Sequence, residues 1–174
     1  MSTPVDRQTR LIKDFKEVMS HWASGVTVVT TAGPTGRPHG FTASSFTVVS
    51  LDPPTVLVCL DRAADCAPAF AGAQWLAVHI LGAGQRDVAA RFARKSPDKF
   101  AGLPTEPGRS GTPLLPGAAA TLECRTVRRL PVGTHMVLFA EVHEARTAAG
   151  EAGPAGDRPL LYHRRAFHAL ARDD

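Results

Sequence analysis

The segment that offers most to a ligand runs from Thr42 to Ser45, where small and hydroxyl side chains interrupt a pattern of bulky strand-forming residues. A strand gives up packing at such a place when a flat or anionic group approaches its backbone closely. Main-chain N–H groups and short hydroxyls there would hydrogen-bond the polar edge of that group. The same composition is equally typical of a structural bulge or barrel corner filled by small side chains. The residues alone leave both interpretations open.

A second candidate, Gly82–Asp87, comes after a predicted strand and opens a predicted helix, as the dinucleotide fingerprint GxGxxG does. Its third glycine is replaced by Asp87, whose carboxylate would face the pyrophosphate that such a loop binds. The acidic strand end expected about twenty residues later falls in a loop rich in proline and glycine. We therefore predict no Rossmann site, and any nicotinamide has to bind in another way.

The cysteines and histidines form no recognisable metal or nucleophile pattern. Cys59, Cys66 and Cys124 are odd in number and too widely spaced for a CxxC pair, so we expect free thiols in a reducing compartment. The first seven residues contain no apolar segment of a secretory signal, and the expected location is the cytoplasm. No metal site is predicted, because four histidines show no metal-ligand spacing with each other or with the cysteines. They are His21, His39, His143 and His163.

The formal charge of +4 suits anionic ligands, nucleic acids included. Aromatic residues make up only 6% of the chain, however, which leaves few stacking platforms for single strands. Basic residues are concentrated between Arg86 and Lys99, and a solvated helix face explains them about as well as a phosphate site does. No apolar run approaches the ~20 residues that cross a bilayer. We expect neither a nucleic-acid nor a membrane partner.

The elements that must position these residues are predicted to be one helix followed by a β-rich chain. Apolar residues at helical spacing from Leu11 to Trp22 predict an amphipathic first helix that packs on the rest of the chain and ends before Gly25. Strands are predicted at 26–31, 39–50, 55–61, 75–81, 118–129, 133–146 and 159–163. Helices are predicted near 63–72 and at 84–95, loops at 101–117 and 148–158, and a turn at 130–133. This order favours a mainly β, antiparallel barrel with attached helices in a single domain over residues 1–174.

Seven segments, in order and with matching intervals over about residues 12–170, are shared with a known family. They are Gly25–Thr31, Pro38–Pro54, Val56–Asp61, Gln85–Ala93, Asp98–Phe100, Gly133–His135 and Pro159–Tyr162. On these motifs the chain resembles the short-chain flavin reductases, whose fold is the FMN-binding split barrel. The resemblance implies an antiparallel, Greek-key-like barrel of six strands. It is strongest to the reductase components of actinomycete two-component monooxygenases that serve natural-product (antibiotic) biosynthesis.

The resemblance also implies where the two ligands bind. The flavin ring would lie against Thr42–Ser45 and the next strand around Val58–Leu60, with N–H donors stabilising negative charge on the reduced ring. Its phosphate would reach the turn after Asp61. His135 is the implied catalytic residue, beside nicotinamide and flavin, where it would orient the donor. The implied cofactor-binding residues are His39, Gly40, Thr42, Ala43, Ser44, Ser45, Val58, Cys59, Leu60, Arg62, Cys66, Arg91, Phe92, Ala93, Lys99, Phe167 and His168.

Three positions depart from the pattern of the family. The phosphate turn, often rich in Ser and Thr, here contains Asp65, which would repel a phosphate unless it points away. His79 stands where Asn is common. Thr134 replaces the Asp of the Gly-Asp-His turn and so removes a carboxylate that would orient the histidine. These departures bear on cofactor preference more than on the class of reaction.

The activity implied is that of an NAD(P)H:flavin oxidoreductase that reduces FMN or FAD by hydride transfer, with NADH favoured over NADPH. The expected protein is a homodimer that supplies reduced flavin to a separate flavin-dependent monooxygenase. The alternative is a non-catalytic flavin-binding module on the same barrel, which the loss of the Asp at Thr134 suggests. A basic OB-like barrel that binds nucleic acid is a third interpretation, disfavoured by the few aromatic residues.

Overall fold

The computed structural model describes residues 4–148 and 158–171, whose secondary structure consists mainly of antiparallel strands. The α-helices are α1 (Pro4–Ser20), α2 (Ala67–Gly72) and α3 (Arg86–Ala93), the last preceded by a 3₁₀ turn over Ala83–Gln85. The first strands are β1 (Ser24–Gly25), β2 (Thr27–Ala32), β3 (Pro38–Ala43), β4 (Thr47–Leu51), β5 (Pro54–Asp61) and β6 (Trp75–Ile80). They are followed by β7 (Glu106–Pro107), β8 (Pro113–Leu114), β9 (Ala120–Val132), β10 (His135–Thr147), β11 (Leu160–His163) and β12 (Ala166–Ala169).

Seven of these strands form one antiparallel sheet in the order β3-β2-β6-β9-β10-β5-β4. Its two outermost strands, β3 and β4, are consecutive in the chain and joined by residues 44–46 alone. Counted as one bent strand, they close the sheet into a ring of six. The predicted antiparallel barrel is confirmed, but the run 39–50 is two strands rather than one, because β3 pairs with β2 whereas β4 pairs with β5.

Alternate residues of the barrel strands other than β4 point inward and form a cluster of buried apolar side chains, which we call the inner cluster. It includes Val29, Val58, Val78 and Leu138, and Phe70 of α2 packs edge-on against Phe41 with ring centroids 5.0 Å apart. A second group, the outer cluster, lies on the other face of β2 beneath α3. Its buried members are Val26, Val28, Leu81, Ala89, Phe92, Leu115 and Leu160.

A separate three-stranded sheet of order β1-β11-β12 supports the outer cluster. β11 is predicted correctly, whereas β12 is absent from the expected elements and pairs with β11 across a two-residue turn at Arg164 and Arg165. The predicted loop over 148–158 falls almost entirely outside the described residues.

Other boundaries differ from expectation for local reasons. α2 begins only at Ala67, since residues 63–66 form turns before Pro68 starts the helix. α3 covers Arg86–Ala93 instead of 84–95, and the predicted loop 101–117 contains the short strands β7 and β8. The hairpin turn lies at Gly133 and Thr134 rather than 130–133, because Gly133 takes the positive φ of 55° that the turn needs.

The prediction that the first helix packs on the rest of the chain is wrong for the described residues. Along α1 the large apolar side chains are exposed, with Phe15 61% and Val18 67% accessible. An amphipathic pattern identifies an apolar face but not the surface that covers it. Among the described helices none combines the length and apolar character needed to cross a membrane.

Candidate functional site

Most of the residues singled out in the sequence line one cavity of about 370 Å³ beside the β3–β4 connection, which we call the first cavity. Those predicted to contact flavin or nicotinamide that lie on it are Thr42, Ala43, Ser44, Ser45, Cys59, Leu60, Phe92, Ala93, Lys99 and His135. The two strands predicted to bind the flavin ring thus meet at one surface, because β3 and β5 approach each other at the β3–β4 connection.

The hydroxyl groups of the β3–β4 connection have different tasks. Thr42 Oγ1 donates to the carbonyl oxygen of Ala89 in α3 at 2.7 Å, and this bond fixes the helix over the strand. Ser45 Oγ accepts from the backbone N–H of Cys59 at 3.0 Å and donates to the carbonyl oxygen of Cys59 at 3.3 Å, and these bonds attach the connection to β5. Ser44 is exposed, and within the described chain its hydroxyl has no hydrogen-bond partner. Ser44 is therefore the hydroxyl free to bind a ligand.

Lys99 supplies positive charge at the base of the first cavity. The residue is only 8% exposed, and its Nζ donates to the carbonyl oxygens of Gly40 at 3.2 Å and Phe92 at 3.3 Å. Within the described residues no carboxylate pairs with it. A buried ammonium without a counter-charge is costly, and an anionic ligand in the cavity would offset that cost.

His135 begins β10 at the rim of the first cavity and is positioned by the residues around the hairpin turn. Its Nδ1 lies 2.9 Å from the Thr134 hydroxyl, so Thr134 contacts the ring from the position where the resemblance leads us to expect an aspartate. Arg62 holds the turn itself: its backbone N–H donates to the carbonyl oxygen of Thr134 at 3.0 Å and its guanidinium to that of Gly133 at 2.7 Å. The Nε2 of His135 has no hydrogen-bond partner among the residues that the structure describes, which leaves this nitrogen for a ligand.

Gly40 allows α3 to approach the strand. A Cβ at this position would lie 2.8 Å from Cε1 of Phe92 and 3.0 Å from the carbonyl oxygen of Val29. The ring of Phe92 is buried and packs edge-on against Phe100, with centroids 4.9 Å apart. The absence of a side chain at Gly40 thus accommodates Phe92, which forms part of the cavity wall.

A second cavity of about 490 Å³ adjoins the first and shares Thr42, Ser44 and Ala93 with it. Its other lining residues come from the outer parts of the fold: Val26, Ala90, Tyr162, Arg165 and Phe167. Phe167 therefore walls the second cavity rather than the first.

A third, smaller cavity of about 150 Å³ lies behind Lys99 and contains His39, Gly40 and Cys66. Burial, together with the charges of Arg37 and Lys99, lowers the pKa of His39, so this imidazole is neutral at pH 7. Burial raises the pKa of Cys66, which remains a thiol. Arg91 lies instead in a cleft of about 410 Å³ on the far side of Lys99, and its guanidinium donates to the carbonyl oxygen of Ala101.

Three of the predicted cofactor-binding residues lie away from all four cavities. Val58 points into the inner cluster, because alternate side chains of β5 face the barrel interior. The side chain of Arg62 is used by the hairpin turn. His168 on β12 is exposed, with its Nε2 3.1 Å from the carbonyl oxygen of His163.

Several lining residues were missed. In the first cavity these are Phe41, Asp61, Ala64, Asp65, Arg94 and Lys95, and in the second Val26, Ala90, Tyr162 and Arg165. Arg94 and Lys95 belong to the basic stretch for which a phosphate site and a solvated helix face were equally good interpretations, so a signal for them existed. Asp65 lines the first and third cavities instead of pointing away. No pattern in the sequence marks Arg165.

Comparison with known proteins gives a consistent answer. The family model described as "Flavin reductase like domain" matches residues 19–171. The NADH:riboflavin 5'-phosphate oxidoreductase of Streptomyces pristinaespiralis is 42% identical over 158 residues, which cover 90% of this chain and 86% of that protein.

Solved structures agree in fold over nearly the whole chain. The NADH:FAD oxidoreductase SgcE6 of Streptomyces globisporus C-1027, in complex with NAD and FAD fragments, superposes with a TM-score of 0.83 at 34% identity, covering 99% of this chain and 98% of that one. A nitrilotriacetate monooxygenase component B homologue from Mycobacterium thermoresistibile gives a TM-score of 0.86 at 34% identity, covering 94% and 89%.

Proposed function

Because this chain belongs to the family of flavin reductase like domains, we propose that it catalyses the reduction of FMN or FAD by NADH. The observation that carries the proposal is the first cavity, where the β3–β4 connection and β5 meet beside the buried Lys99, with which no carboxylate of the described residues forms an ion pair. The family predicted from the sequence is confirmed. Similar proteins are named for both flavins: the Streptomyces pristinaespiralis enzyme for riboflavin 5'-phosphate and SgcE6 for FAD.

The residues of the first cavity fit a flavin in chemistry as well as in shape. The small side chains of Ala43 and Ser44 leave the backbone accessible to a flat ring, and the free Ser44 hydroxyl can bond its polar edge. Lys99, with Arg94 and Lys95 beside it, would bind the phosphate, and Asp65 lowers the net positive charge there. Arg91 would add to the field from the neighbouring cleft.

When bound, the flavin supplies the acceptor for a hydride given by the nicotinamide C4, so this chain has to bind, orient and exclude water. His135 would orient the nicotinamide through Nε2, with Thr134 fixing the ring from the Nδ1 side. Backbone N–H groups of the β3–β4 connection would stabilise negative charge on the reduced ring. Phe92 closes the cavity toward the outer cluster.

We also propose that reduced flavin leaves for a separate monooxygenase. A nitrilotriacetate monooxygenase component B homologue shares the fold over 89% of its length, and the styrene monooxygenase flavin reductase of Pseudomonas putida S12 over 99%. The first cavity is open to solvent through exposed Ser44 and His135, which suits the exchange of a diffusible flavin. The cytoplasm is the proposed compartment, in keeping with three free cysteines.

A homodimer is proposed from α1. Its exposed apolar face includes Leu11, Phe15, Val18 and Met19, an unusual amount of apolar surface for a helix in water. A second copy of this chain is the proposed cover. Light scattering should give twice the mass of the chain, and Phe15→Glu together with Val18→Glu should halve it. A wild-type mass equal to one chain would contradict the dimer.

The activity is tested by measuring NADH consumption by the purified protein with no flavin, with FMN and with FAD, and by repeating the series with NADPH. We expect oxidation that depends on added flavin and is faster with NADH. Tight flavin binding with negligible NADH consumption would support the non-catalytic module instead. Neither binding nor turnover would refute the proposed function altogether.

A further inference from the structure

The second cavity combines a flat, partly aromatic surface with a single positive charge. Ser44, Ala90 and Ala93 form a floor of small side chains, and the rings of Tyr162 and Phe167 stand beside each other with centroids 5.6 Å apart. Arg165 is the only cationic side chain among the described residues that line it. A ligand suited to this surface is a flat ring that carries an anionic group.

Arg165 occupies a backbone position that ordinary side chains avoid. It and Arg164 form the two-residue turn between β11 and β12, with φ of 62° and 47°. Positive φ at both central positions is characteristic of turns that favour Asn and Gly, and larger side chains are strained there. An Asn-Gly turn would build this hairpin with less strain. Strain of this kind persists at sites where the side chain has a function.

The two arginines have different surroundings. The backbone N–H of Arg164 donates to the carbonyl oxygen of Ser20 at 2.8 Å, and its guanidinium to His21 Nδ1 at 3.2 Å, so Arg164 ties the turn to α1. The guanidinium of Arg165 lies 3.0 Å from a carboxylate oxygen of Glu17. The side chains of Arg165 and Glu17 are 61% and 60% exposed, and an ion pair of this kind contributes little free energy. A phosphate can therefore displace Glu17.

We propose, building on the proposed function, that Arg165 binds a phosphate group of the nicotinamide nucleotide and so holds the donor in the second cavity. The flavin phosphate is the other anion available. The first cavity already offers it Arg94, Lys95 and Lys99, whereas Arg165 lines only the second. Because the two cavities share Thr42 and Ser44, a donor held by Arg165 would place its ring against a flavin in the first.

The test compares Arg165→Asn with Arg164→Asn. Both changes remove one positive charge and introduce a residue that tolerates positive φ, but only the first removes a cation from the second cavity. With FMN saturating, Arg165→Asn should raise the KM for NADH about tenfold, the low end of what a charged hydrogen bond contributes. Arg164→Asn should stay within about twofold. The KM for FMN should be unchanged in both variants.

Binding of NAD⁺, measured by calorimetry in the presence of FMN, should weaken by a similar factor in Arg165→Asn alone. This titration decides the inference even if the wild type fails to turn over, an outcome that would refute the proposed function separately. Equal changes in the two variants, or a rise in the KM for FMN instead of NADH, would overturn it.

Glu17→Gln provides a test that leaves the turn intact. Removing the competing carboxylate should tighten NAD⁺ binding by about twofold, the scale of an exposed ion pair. Unchanged or weaker binding in this variant would count against the proposed role of Arg165, whatever the folding of Arg165→Asn.

Discussion

The first and second cavities meet at Thr42, Ser44 and Ala93, but different parts of the fold hold their walls in place. In the first, the β3–β4 connection, β5 and the start of β10 are positioned by the hydrogen-bonded register of the barrel. The second is enclosed by α3 and the β11–β12 hairpin, which belong to the outer cluster and the separate small sheet. The pairing register of the barrel strands fixes the side chains of the first cavity. Contacts between segments that are far apart in the sequence fix those of the second.

His79 makes a contact of each kind in the outer cluster, one to its register partner Val28 on β2 and one to Leu115 after β8. It is fully buried on β6, its Nδ1 lies 3.0 Å from the carbonyl oxygen of Val28, and its Nε2 accepts from the backbone N–H of Leu115 at 3.0 Å. Both partners belong to the outer cluster. These bonds require a neutral imidazole that carries its proton on Nδ1. Burial lowers the pKa of His79 to about 4, although the hydrogen bond to Val28 opposes this change.

The largest expected effect is therefore a loss of folding stability at low pH. Below pH 6.5 the unfolded chain protonates His79 while the folded chain does not until about pH 4, so stability falls as the pH falls through this window. Between pH 7.5 and 4.5 this residue should cost about 2–3 kcal/mol of unfolding free energy. Urea unfolding at the two pH values measures the loss.

His79→Asn is the matched variant, since an amide can donate to Val28 and accept from Leu115 without titrating. Between the two pH values its unfolding free energy should fall by about 2–3 kcal/mol less than that of the wild type, because the two proteins share all other titratable groups. An equal loss in the two proteins would mean that His79 does not couple the outer cluster to pH.

The same contrast between register and distant contacts explains how much could be predicted from the sequence. β2, β5 and β6 are predicted almost to the residue, because β-branched runs and breakers are local signals. The division of 39–50 is missed, since Ser44 and Ser45 contain no breaker and β4 is defined by pairing with β5. β12 has one large apolar residue, Phe167, and exists because it pairs with β11.

The same distinction between local signals and distant contacts applies to the candidate site. The residues of β3 and β5 could be named from the family motifs, and the structure gathers most of them around the first cavity. The position of the Arg62 side chain could not be predicted, because its guanidinium donates to the carbonyl oxygen of Gly133, a residue 71 positions further along the chain. Arg165 gives no local signal at all. The ligand roles of these residues, and the single domain over 1–174, stay predictions.

The next largest effect tests the proposal that the flavin binds in the first cavity and the nicotinamide nucleotide in the second. Lys99→Met keeps an unbranched side chain, one atom shorter, but removes the buried charge, and should raise the KM for FMN about thirtyfold, the loss of one strong charged hydrogen bond. The KM for NADH should change little, the reverse of the pattern expected for Arg165→Asn. Steady-state rates at varied FMN and at varied NADH measure both.

Riboflavin, which lacks the phosphate, is the control for Lys99. Its KM should be nearly the same in the wild type and in Lys99→Met, because the ring contacts with the β3–β4 connection are retained. If riboflavin and FMN lose affinity equally, Lys99 supports the shape of the first cavity rather than binding the phosphate.

The smallest effect distinguishes two roles for Arg62, which holds the hairpin turn next to His135. If it positions His135 through the Gly133 carbonyl, Arg62→Gln should lower kcat about threefold and leave the KM for FMN unchanged, because its backbone bond to Thr134 remains. If it binds the flavin phosphate instead, the KM for FMN should rise while kcat stays constant. Arg128→Gln, a change of the same charge at an exposed position on β9, is the control and should alter neither constant. The first outcome would show that the strand register also positions His135, the residue proposed to orient the nicotinamide, since His135 pairs with Asp61, the neighbour of Arg62.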